Sequence, residues 1–193
     1  MQNIETKKSI IGPTFDDSPE PIVIPKGLYQ AKVIQGGLHV GGKPTTDDEL
    51  IGRHGPEYHA HMLRLELEII SGGEASIAGM QCTTHLLLEG KAFWNFSNAL
   101  GQAKLLDTLE LFKAYNNSND EKHQLPCFDK KQDMWEQFSC LFLYGSMADD
   151  HGTEFTSKSG QGLVGQSMAI SVGDPREFNG QPSIGWINFK PKK

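Results

Sequence analysis

The most regular stretch of the chain is the alternation of Leu63, Leu65, Leu67 and Ile69 with Arg64, Glu66 and Glu68. A period of two places the four aliphatic side chains on one face of a strand and the charges on the other. The same rhythm opens at Gly27, where Tyr29, Ala31 and Val33 share one face and Gln30 and Lys32 the other. It predicts a half-buried strand over 27–35. After a turn at Ser71–Glu74, residues Ile77 to Leu88 read as a third strand, with a bend or bulge at Gly79. The period then changes. Phe93, Phe96, Leu100 and Ala103 recur at spacings of three and four, and Leu106, Leu109 and Phe112 continue the rhythm. This predicts a helix over 92–104 and a second, shorter one over 107–114. Met134–Tyr144 is apolar and aromatic, fits either a helix or a buried strand, and is expected to pack on the rest of the fold. Two last apolar runs, 166–172 and 184–189, predict strands around a turn-rich segment holding Pro175, Asn179-Gly180 and Pro182.

Between these elements lie three irregular regions. Residues 1–24 read as an arm, because Asp16, Asp17, Ser18, Pro19, Glu20 and Pro21 discourage regular structure, with Ile22–Ile24 packing on the edge of the fold. Residues 36–56 form a long glycine-rich connection. Residues 116–161 read as an irregular, acidic insertion. The order is three strands, helix, insertion, two strands. The expected fold is therefore mainly β: a five-stranded Greek-key barrel of the OB type, with a helix between strands three and four. One domain would span 25–193.

Composition changes this picture in three ways. With 193 residues, 37% of them hydrophobic, the chain has enough apolar material for one core. No apolar run approaches the length of a membrane helix, and the first residues lack the apolar stretch of a signal peptide, so the cytoplasm is the expected location. Cys82, Cys127 and Cys140 are three in number and form no C-x-x-C pair, which predicts buried free thiols rather than disulfides. The net charge of −6 argues against a strong duplex binder. That charge is uneven: residues 106–155 hold ten acids and four bases and account for all of it, whereas 21–46 carry Lys26, Lys32 and Lys43 and no acid.

Several of these segments together resemble a family of small bacteriophage proteins associated with DNA replication and recombination, members of which bind single-stranded DNA. The resemblance rests on Pro-x-Gly-x-Tyr-x-Ala-x-Val (Pro25 to Val33), Leu-x-Leu-x-Leu-x-Ile (Leu63 to Ile69) and Ala-Leu-Gly-x-Ala (Ala99 to Ala103). It continues through Gly-Leu-Val-Gly (Gly162 to Gly165) and Ile-Asn-Phe-Lys-Pro (Ile187 to Pro191). It implies an OB-fold binder of single-stranded DNA that acts without sequence preference and is not an enzyme. The partners it implies are the strand itself, phage or host replication and recombination proteins, and a second copy of the chain, with no cofactor, metal or membrane. Two features depart from the family: the acidic segment 116–161 replaces a short connection, and the end, Lys190-Pro-Lys-Lys193, is basic where an acidic recruiting tail is common.

A single-strand site needs cations for phosphates and flat side chains for bases. Outward positions of the first two strands supply Lys32 and Arg64. The first long connection supplies Lys43, Arg53 and Tyr58. Arg176 and Phe178 fall in the loop between the last strands, Lys190 follows them, and Trp186 faces outward if Ile187 and Phe189 are core. The plain alternatives are an Arg64 ion pair with Glu66 or Glu68, and a Trp186 that plugs the barrel end. His54, His59 and His61 match no standard zinc spacing. Asp47-Asp48-Glu49 and Asp149-Asp150-His151 read as solvated loop charge, and no phosphate-cradling or nucleophile motif occurs. The rival function is a phage protein-interaction module that binds and modulates a host enzyme or defence system, which the acidic total suits.

Overall fold

The computed structural model describes residues 23–73, 77–117, 124–178 and 181–191. Most of the predicted arm lies outside the described residues; at its end Ile24 is buried in the core. The chain is of mixed α/β type. Its main sheet has five strands in the order β3-β2-β1-β6-β9: β1 (Gly27–Val40), β2 (His61–Ser71), β3 (Gln81–Leu87), β6 (Ser167–Val172) and β9 (Ile187–Phe189). Every neighbouring pair in it is antiparallel. Four helices accompany the sheet: α1 (Asp48–His54), α2 (Phe93–Gln102), α3 (Leu106–Asn116) and α4 (Lys131–Tyr144). Two small hairpins complete it, β4 (Ser146–Ala148) with β5 (Glu154–Thr156), and β7 (Arg176–Phe178) with β8 (Gln181–Ser183).

The alternating positions behave as their period demands. Ala31, Val33, Leu63, Leu65, Leu67 and Ile69 are fully buried, while Lys32 and Arg64 are exposed on the opposite face. Helices α2, α3 and α4 fill the buried side with an aromatic cluster. Phe96, Phe112, Phe138 and Phe142 meet edge to face at centroid distances of 4.9–5.5 Å.

Four expectations need correction. The first strand does not stop at 35; it runs through Gly36 and Gly37 to Val40, and the connection that follows contains α1. At Gly36 a Cβ would lie 2.6 Å from Leu143 Cδ2 and 2.9 Å from Leu65 Cδ2, so a larger residue there would push the leucine of α4 away from β1. The third strand begins at Gln81, not at Ile77, since Ile77–Gly79 form a tight turn. The insertion is not irregular: Met134, Trp135, Phe138, Leu141 and Phe142 recur at helical spacing as the buried face of α4, which Gly145 ends in the left-handed region at φ 88°. Cys127 and Cys140 are exposed rather than buried, Cys140 because it falls on the solvent side of α4.

The barrel is also not closed. Among the described residues β3 and β9 do not pair, and both remain edges of the sheet. Helix α2 touches both of them as well as β6. Its polar face supplies the bonds that a closing strand would make to β9. Asn95 donates to the Ile187 carbonyl (3.0 Å) and accepts from the Phe189 N–H (2.7 Å), and Asn98 donates to the Phe189 carbonyl (3.1 Å). One turn on, Gln102 donates to the carbonyls of Ala169 (2.9 Å) and Lys190 (2.7 Å) and accepts from the Ala169 N–H (2.7 Å). Residues 95, 98 and 102 share one face of the helix. A run of amide side chains therefore takes the place of a fifth, closing ladder, and the sheet stays open at that seam.

Candidate nucleic-acid interface

The seam between the two sheet edges is a cleft of about 510 Å3. One wall is β3, through Thr83, His85 and Leu87; the floor is the start of α2; the far wall is the segment Ile184–Asn188, with Arg176 of β7 above it. Trp186 is in this wall because Ile187 and Phe189 are turned into the core, so the preceding residue must point away. It is 67% exposed. The Arg176 guanidinium lies 3.6 Å from the centre of its ring, a cation–π contact that holds the indole in place. Trp94 is 51% exposed in the same cleft. It sits at the start of α2, off the arc that carries Phe93, Phe96 and Leu100 into the core.

His85 connects the cleft to the outer face of the sheet. It stands opposite Arg64 of β2, and its ring centre lies 5.2 Å from that of His39. Partial burial, with the nearby His39 and Arg64, holds its imidazole below the ordinary histidine range, so it favours the neutral form.

The proposed binding residues thus divide. Arg176 and Trp186 are brought into contact, and Arg64 is one strand away from the cleft wall. Arg64 also makes the ion pair its neighbours suggested, at 3.2 Å from Glu66. Lys32 is on the same outer face but level with Glu68, four residues further along β2, roughly 13 Å away at strand spacing. Lys43 is exposed in the connection after β1, and Lys190 lies beyond the end of β9. Phe178 is in β7, and its side chain lies outside the described residues.

Arg53 and Tyr58 belong to a different place. Arg53 pairs with Glu49 and lines a second cleft of about 370 Å3 between α1, α3 and α4. Glu89 is its anchor. One carboxylate oxygen accepts from the Tyr58 hydroxyl (2.7 Å) and the His61 N–H (3.1 Å), with His61 Nδ1 at 3.4 Å; the other lies 4.0 Å from His54 Nε2. Burial pushes the Glu89 carboxyl up, but the hydrogen bonds from His61 and Tyr58 outweigh it and hold the group below its ordinary range. Burial and the same bond raise the Tyr58 hydroxyl. The Tyr58 ring stacks on His54 at 4.2 Å and that of His61 on Trp135 at 4.5 Å, so these rings serve the fold. His59 turns instead to the Gly41 carbonyl. Among the described residues no three His, Cys, Asp or Glu side chains are placed to hold a metal ion, and no helix is long and apolar enough to cross a membrane.

Trp94 and His85 were not among the residues singled out from the sequence. Trp94 did carry a signal: it is an aromatic residue off the apolar face of a well-defined amphipathic helix. His85 carried none, since it belongs to the site only through the seam. No known family pattern matches this chain, and no characterised protein matches its sequence.

Proposed function

We propose that the chain binds single-stranded DNA without sequence preference, with the open seam of the sheet as its site. One observation carries this reading: two exposed indoles, Trp94 and Trp186, share a cleft with Arg176 stacked on one of them. Flat aromatic faces stack on any base, and a guanidinium over an indole offers both a further stacking plane and a charge for phosphate. The strand order supports it. Read as strands one to five, β1, β2, β3, β6 and β9 have the connectivity of an OB-like barrel unzipped between its third and fifth strands, with helices between the third and fourth. The setting we propose is bacteriophage DNA replication or recombination, which the sequence resemblance implies.

Affinity should be modest. Two base stacks contribute about 2–6 kcal/mol, short of the roughly 8 kcal/mol of a micromolar complex. Few cations surround the cleft to supply the remainder. Titration with an oligothymidylate about ten nucleotides long, followed by tryptophan fluorescence at low salt, tests the reading. Binding should quench the two exposed indoles and leave buried Trp135 unchanged. No quenching and no gel shift at high micromolar protein would refute it.

A further inference from the structure

We infer that the unpaired edge of β3 reads the occupant of the seam, through main-chain hydrogen bonds to the rims of its bases; this rests on the reading that the occupant is a single strand of nucleic acid. The orientation of the edge follows from its ladder. The Met80 carbonyl accepts from Ile69 N–H (2.9 Å) and the Leu88 N–H donates to the His61 carbonyl (3.0 Å), so even-numbered residues face β2. In an antiparallel strand the donor and acceptor of one residue point to the same side, and successive residues alternate. Thr83, His85 and Leu87 therefore direct N–H and C=O away from β2, and all three line the cleft. Among the described residues nothing bonds to these six groups.

The contrast with the other lip of the seam is what gives this weight. On β9 three of the four corresponding outward groups, the Ile187 carbonyl and the Phe189 N–H and carbonyl, are taken by Asn95 and Asn98. Exposed strand edges are normally blunted by lysine, proline or a covering element. The outward-facing positions of β3 are Gln81, Thr83, His85 and Leu87, without either residue. The fold seals one edge with helix amides and leaves the facing one bare in a cleft with two open indoles.

Each bare residue presents a donor beside an acceptor. Every nucleobase carries a donor or acceptor set on its rim, and a single strand leaves that rim free. A base lying flat on an indole across the cleft meets β3 with its rim, and a main-chain edge accepts any of the four bases through one pair or another. The site then requires bases but not a particular sequence. An extended peptide adds to such edges as well, but the paired indoles and the guanidinium stack favour a planar aromatic occupant.

Residue-resolved amide hydrogen exchange on the intact chain tests this, with oligothymidylate and with an abasic sugar-phosphate oligomer of equal length. In the free protein the amides of Thr83, His85 and Leu87 should exchange fast and those of Thr84 and Leu86 slowly. Oligothymidylate should slow the first set at least about tenfold, and the abasic oligomer should not. Binding of oligothymidylate that leaves the three amides fast overturns the inference but spares the proposed function; no binding removes both. Equal protection by the abasic oligomer overturns it too, as does protection by an extended acidic peptide with none by the oligonucleotide. Thr83→Pro removes one outward N–H at an edge position that tolerates proline. It should weaken oligothymidylate binding roughly three- to tenfold. Wild-type affinity in Thr83→Pro counts against the inference, and if that variant does not fold, the exchange data on the unaltered chain decide.

Discussion

At the level of single residues, parity decides most of what this protein shows to solvent. Trp186 is exposed because Ile187 and Phe189, which follow it in the strand pattern, are core, and that much could be read from the order Trp-Ile-Asn-Phe. Its contact with Arg176 could not, since ten residues and a hairpin separate them. Substituting Trp94 or Trp186 with alanine should each cost about 1–3 kcal/mol of binding, roughly a 5- to 150-fold weaker complex. Thermal stability should hardly change, because both side chains are half or more exposed. Equal affinity in the double variant would remove the stacking mechanism. Glu89 makes the opposite case, a residue with no visible role in the sequence that ties together two connections. Its folded-state pKa lies below the unfolded value near 4.3. The stability it contributes is thus fully present above that value and is lost as pH falls through the folded one. Glu89→Gln should cost about 1–3 kcal/mol at neutral pH, and the gap from the parent should narrow in denaturation curves taken at progressively lower pH. A constant gap would mean that the carboxylate charge is not what holds Tyr58 and His61.

At the level of elements, periodicity was a good guide where one face alone is buried. The second strand and α2 stand within a few residues of where their patterns place them. It failed where burial comes from more than one side. Met134–Tyr144 has a broad buried face because α4 is covered by both the sheet and α3; only Glu136, Cys140 and Tyr144 form a narrow exposed stripe, and the unbroken apolar run Leu141–Leu143 fits a helix or a strand. Closure of the sheet was misjudged for a related reason. Asn95, Asn98 and Gln102 look like an ordinary solvated helix face, yet they meet the backbone of β9 and β6. If these amides replace a strand, Asn95→Ala should cost about 1–3 kcal/mol, because the Phe189 N–H and the Ile187 carbonyl both lose their partner in a buried setting. The loss should appear in chemical denaturation and as faster exchange of the Phe189 amide. A neutral substitution would show that the seam is held by packing alone.

At the level of the whole molecule, the proposed function asks how an acidic protein would hold a polyanion. The net charge of −6 is accounted for by residues 106–155, the part of the chain that holds α3, α4 and most of the β4–β5 hairpin. The cleft is built instead from β3, the start of α2 and the β7–β9 region. Within reach of it are Arg176 and, one strand away, Arg64, the latter already paired with Glu66. On the proposed reading, stacking rather than a groove lined by many cations dominates the binding. That difference is measurable. For single strands the logarithm of the binding constant falls with the logarithm of salt by about 0.7 per phosphate neutralised. Two or three contacts give a slope of roughly −1.4 to −2.1, far shallower than for a binder that covers six or more phosphates. Arg176→Ala should flatten the slope by a little under one unit and also weaken binding by loss of the stacked plane. Arg176→Lys should preserve the slope and lose only the stack. A steep slope in the parent protein, unchanged in both variants, would show that phosphates are tracked on another face and that the seam is not the site.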